Sequence, residues 1–160
     1  MIELSSDSDT VNFGELRPEI NDLLQRGVIA YRSDREKADR LFRDALERAP
    51  GELATYFCLY KIHTYMGSLD FAADVAADGL REAARQAGWS SDPKLWPSAA
   101  EASDGPSRFA LFTLKALSFI ELKRGRREVA LEHLRTLSIA DPNGSVGWTV
   151  IQDLAHGVVR

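Results

Sequence analysis

Residues 38–50 read ADRLFRDALERAP, and residues 130–142 read ALEHLRTLSIADP. Each opens on an alanine, with an apolar residue four places on, another three further, and a proline after five more. The positions are Ala38, Phe42, Ala45 and Pro50 in the first stretch and Ala130, Leu134, Leu137 and Pro142 in the second. Steps of four and three put these side chains on one face of an α-helix, and a proline disfavours helix in the residue before it. Residues 72–84, AADVAADGLREAA, repeat the first two steps at Ala72, Ala76 and Gly79, with Ala84 in the proline position. Small side chains at these places let a neighbouring helix come close.

Working outward, helical spacing predicts a first helix from about Glu15, with Pro18 in its first turn, and a second ending at Ala49-Pro50. A third runs from Leu53 to Met66 with Gly67 as its stop, and a fourth from Leu69 to Gln86 with Gly88 as its stop. Ser107 is the expected cap of a fifth helix to Arg124. A sixth covers Arg126 to Ala140, and Ser145 opens a last short helix. No segment shows a sustained period of two, so the expected fold is all-α. Residues 1–13, rich in Ser and Asp, are expected to form a disordered tail, with one helical domain over 14–160.

The spacing between the stretches is regular. Ala38 to Ala72 is 34 residues; Ala72 to Ala130 is 58, one such period with an excess of 24. Gly67 and Gly125 each precede their alanine by five residues, and Trp148 lies 34 residues after Leu114. A period of 34 is that of the tetratricopeptide repeat, and over about residues 20–157 the chain resembles that family. Tyr56-Leu59-Tyr60, Leu114-Leu117-Ser118 and Trp148-Ile151 stand where the family has a large residue, a Leu and a small one, although Tyr60 is large for its place. The resemblance implies an α-α superhelix of three degenerate antiparallel helix pairs and a C-terminal capping helix. The excess residues form a long loop over 87–106, between the second and third pairs.

Composition narrows the function. A net charge of −4 argues against a general nucleic-acid or anionic-membrane binder. One cysteine, no basic-then-apolar leader and no apolar run near the roughly 18–20 residues of a membrane helix lead to the expectation of a soluble, cytoplasmic chain. No cofactor or metal is expected: there is no Gly-rich phosphate loop, no HxxxH and no CxxC. Cys58 and His63 lie five apart on one helix, about 140° around its axis. They read as a packed thiol and a surface imidazole rather than a catalytic pair. Lys123, Arg124, Arg126 and Arg127 offset the dipole at a helix C-terminus.

The expected function is therefore partner binding. By the resemblance, the first helix of each pair lines a concave groove for a peptide or a partner's helix. That directs Phe57, Lys61 and Tyr65 of the third helix and Phe112, Lys115, Phe119 and Lys123 of the fifth into it, with Tyr31 and Arg32 beside them. The sets 57, 61, 65 and 115, 119, 123 are i, i+4 ladders. Rings interleaved with cations suit a ligand carrying apolar anchors and carboxylates. Asn12, Asn21 and Asn143 are the only asparagines and none stands on these faces, a departure from family members that clamp a terminal carboxylate. The loop adds Trp89 and Trp96, which either seal an exposed seam or contact the partner. Alternatives are a homodimer that buries its own groove, a class II type III secretion chaperone, and an enzyme with an unrecognised pocket.

Overall fold

The computed structural model describes residues 3–4, 11–98 and 105–157. Seven helices among the described residues carry nearly all the regular structure: α1 Pro18–Ala30, α2 Arg35–Arg48, α3 Leu53–Met66, α4 Leu69–Ala87, α5 Gly105–Lys123, α6 Arg127–Ala140 and α7 Trp148–Ala155. Each packs on its neighbour in the chain, and α5 also meets α3 and α7. The protein is all-α apart from one short strand pair.

Local chemistry sets the helix ends. Asp34 caps α2 by accepting from Lys37 N–H at 3.0 Å, and Pro18 starts α1 where no amide donor is needed. Gly67 and Gly88 close α3 and α4 in the left-handed conformation, so that Ser68 N–H reaches His63 O and Trp89 N–H reaches Ala84 O. Two expected starts are corrected. Ser107 does not cap α5, which begins at Gly105, two residues earlier. Ser145 does not open α7: its N–H and Oγ both donate to Asp141 Oδ1, and the helix begins at Trp148.

The interior forms two adjoining clusters. Ile20, Leu24, Phe42, Leu59 and Ile120 centre one among α1–α5; Leu111, Leu114, Leu134, Leu137 and Trp148 centre the other among α4–α7. The small residues of the repeat stretches are the points of closest approach. Ala38, Ala72, Ala76 and Ala130 are fully buried. A Cβ on Gly79 of α4 would stand 2.7 Å from Tyr56 Cβ of α3, and one on Gly27 of α1 would enter the Phe42 ring of α2.

The N-terminal expectation needs correction where residues are described. Glu3–Leu4 (β1) pairs antiparallel with Val11–Asn12 (β2), and Val11 and Phe13 are buried against the first cluster. Residues 1–2 and 5–10 of the expected tail lie outside the described residues. An exposed apolar pair at alternate positions would be costly in water, and α1 and α3 offer a place to bury it.

Candidate functional site

Three helices, α3, α5 and α7, border a cleft of about 360 Å³. Its walls are Phe57, Tyr60, Lys61, Thr64 and Tyr65 from α3, Phe112, Lys115, Ala116, Phe119 and Ile120 from α5, and Ile151 from α7. Of the i, i+4 ladders, Phe57, Lys61 and Tyr65 of α3 and Lys115 and Phe119 of α5 line the cleft, and Lys123 does not. Phe57 and Phe112 meet across the cleft with ring centroids 6.0 Å apart, and Phe57 takes the edge of Tyr60 at 5.6 Å.

Each lysine lies over a ring of its own helix. Lys61 Nζ is 5.3 Å from the Phe57 centroid, Lys115 Nζ 4.6 Å from Phe112, and Lys123 Nζ 5.5 Å from Phe119. All three distances lie within the range of cation–π attraction. Among the described residues no acidic side chain lines the cleft and none of the three lysines forms an ion pair. Burial, with Arg108 nearby, holds the Lys115 ammonium below the usual lysine range. The cleft is thus an apolar floor with uncompensated positive charge on a chain of negative net charge.

Tyr31 lies elsewhere. With Val28 of α1 and Val11 and Phe13 of the N-terminal segment it borders a smaller arm of about 150 Å³, which shares Phe57, Lys61 and Tyr65 with the main cleft. Arg32 is exposed and lines neither space. Lys123 reaches the cleft only through Phe119, and it also borders a polar hollow with Arg124 and Arg126 at the start of α4.

The loop tryptophans are placed away from the cleft. Trp96 is buried in the second cluster, and its Nε1–H donates to Ser90 O at 2.8 Å. Trp89 packs on the same cluster, its ring 5.2 Å from that of Trp96. The 3₁₀ turn Pro93–Leu95 carries Lys94, which pairs with Glu132 of α6. The described part of the loop therefore packs on the second cluster and α6, the arrangement expected of a seal, and neither Trp89 nor Trp96 lines the cleft. Residues 99–104 of the loop lie outside the described residues.

The titratable residues weighed for chemistry have structural partners. Cys58 is buried, and burial pushes its thiol far above the ordinary range. His63 is buried rather than on the surface: its Nε2 lies 2.6 Å from Asp39 Oδ1, and Phe71 packs edge-on at 4.5 Å. Arg43 grips the same Asp39 and stacks on Phe71, which completes a joint between α2, α3 and α4. In the basic run, Arg124 pairs with Glu121 and with Asp70 of α4, and Arg127 Nε–H donates to Ala155 O at the end of α7. These cations join helices as well as facing a helix C-terminus. No group of three or more metal-ligating side chains occurs among the described residues, and no described helix is long and apolar enough to cross a membrane.

Sequence reasoning missed Tyr60, Thr64, Ala116, Ile120 and Ile151 as walls of the cleft. All five lie three or four residues from a residue it placed there or on the capping helix, which is the signal that would have found them. No family model, curated protein or solved structure matches the chain.

Proposed function

We propose that this chain is a protein-interaction module that holds a partner's peptide or helix in the cleft between α3, α5 and α7, its helix pairs stacked as tetratricopeptide repeats stack. The observation that carries this reading is the pairing of an apolar floor with two lysines, Lys61 and Lys115, that have no acidic partner among the described residues. Such a surface favours a segment with apolar anchors and carboxylates: rings bury the anchors, and the lysines attract the acids and speed encounter. That α3, α5 and α7 border one cleft, and the close approaches at Gly27 and Gly79, support the stacked-pair arrangement.

The test is to identify a partner by pull-down from the native host with mass spectrometry, then titrate it against wild type and against Lys61→Glu/Lys115→Glu. Affinity should fall by tenfold or more in the variant, and wild-type affinity should weaken as salt rises. A partner that binds both proteins equally overturns the reading.

The outer face of α7 favours self-association as a second reading. Val150 and Leu154, one turn apart, are 57% and 52% exposed. Light scattering over a range of concentrations should then show mass above one chain that Val150→Asp/Leu154→Asp abolishes; one chain's mass throughout rules it out.

A further inference from the structure

The smaller arm beside the cleft is walled on one side by the chain's own N-terminal segment. Val11 is extended, and one side-chain amide holds both its main-chain groups: Val11 N–H donates to Gln25 Oε1 at 3.1 Å, and Gln25 Nε2–H donates to Val11 O at 2.6 Å. Gln25 Nε2 also donates to Asn21 Oδ1 at 3.2 Å, which fixes the amide's orientation. A neighbouring β-strand would bind a peptide backbone in the same way. Alternate side chains of an extended segment point to the same side, so Val11 and Phe13 both enter the arm while Asn12 stays exposed. There they border the space beside Val28, Tyr31, Cys58 and Ile62.

From this we infer that the α1–α3 arm is a site for an extended peptide of the pattern apolar-x-apolar, and that Val11–Phe13 occupies it in cis as a competitor. Main-chain hydrogen bonds to Gln25 give affinity that tolerates many sequences, and the two apolar pockets give selectivity. The arm and the open cleft share Phe57, Lys61 and Tyr65 as walls, so a partner extending past Tyr65 meets the N-terminal segment. Release turns on Gly14, exposed with a left-handed bend at φ 84°, and requires Leu16 to leave the first cluster and Glu3–Leu4 to move with or part from the segment. The inference rests on the cleft being the partner's seat and adds that its first part is guarded.

Cys58, the chain's one cysteine, lines the arm and reports its occupancy. In the full chain, Val11→Ser/Phe13→Ser should raise the rate of Cys58 modification by a thiol reagent at least tenfold over wild type. A synthetic peptide of residues 8–16, SDTVNFGEL, should then bind the variant at least tenfold more tightly than wild type and restore protection of Cys58. The same peptide carrying both serines should do neither. Circular dichroism checks that the variant keeps its helices; if it does not, Phe13→Ala alone is carried through the same measurements. Unchanged Cys58 reactivity in a folded variant overturns the inference, as does a peptide that neither binds nor protects. The partner titration with the lysine variant reads the open cleft separately, so either result stands without the other.

Discussion

Gly79 and Tyr56 show how one side chain's size sets a helix interface. Alanine is the better helix former by about 1 kcal/mol. At residue 79, however, its Cβ would stand 2.7 Å from Tyr56 Cβ, an atom next to the main chain that cannot swing away. Overpacking of this kind costs about 1–3 kcal/mol. Gly79→Ala should therefore lower stability in chemical denaturation, with no relief from Tyr56→Phe, because the clash lies at Cβ and Cγ. Tyr56→Phe alone should lose about 1 kcal/mol, from the hydrogen bond that Tyr56 Oη–H donates to Pro50 O at 2.6 Å. His133 gives a pH signature at the same scale. Burial, the largest cause, holds its imidazole below the usual histidine range, partly opposed by Glu121 and Glu132. The folded chain disfavours the charged form, so it binds fewer protons than the unfolded chain between the lowered pKa and about 6.5. Stability should accordingly rise as pH increases through that window, and His133→Gln should flatten this part of the profile in thermal melts.

Among the elements, the two least regular connections are held by buried polar groups. Asp141, fully buried after α6, accepts from Ser145 N–H, Ser145 Oγ and Val146 N–H, while its carbonyl accepts from Trp148 Nε1–H. Asp141→Ala leaves those donors without an acceptor and should cost about 1–3 kcal/mol, with hydrogen exchange rising first in α7. The loop after Gly88 is held by Trp96. Trp96→Ala empties a buried site in the α4–α6 seam and should cost about 3–5 kcal/mol while leaving affinity for a cleft-bound partner within a factor of two. Loss of binding with stability intact would return this loop to the partner surface. The helices themselves were readable because period, proline and glycine stops agree within each stretch. The starts of α5 and α7 were not, because Ser107 and Ser145 resemble caps locally: Ser107 lies inside α5, and Ser145 is claimed by the Asp141 carboxylate.

For the whole molecule, charge distribution carries the functional argument. The chain is net negative, yet Lys61 and Lys115 both line the cleft, with no acid among its described walls. A partner attracted by that field should lose affinity steeply between low and physiological salt, and binding kinetics should show the loss mainly in the association rate. The residues on the two ladders were legible from i, i+4 spacing, since a helix fixes which side chains share a face. Tyr31, Trp89 and Trp96 show the limit of that reasoning. A helical projection says which way a residue points from its own axis, but not what meets it.

By itself the sequence determined the helical class, the faces of α3 and α5, and the small residues where helices approach. These depend on spacing along one chain, and backbone geometry converts spacing into direction. Only the tertiary structure decided that the loop tryptophans pack on the second cluster, that His63 is buried against Asp39, and that Val11 and Phe13 are buried in the first cluster. Each of those outcomes depends on which distant apolar surface lies within reach to exclude water, and no local pattern records that distance.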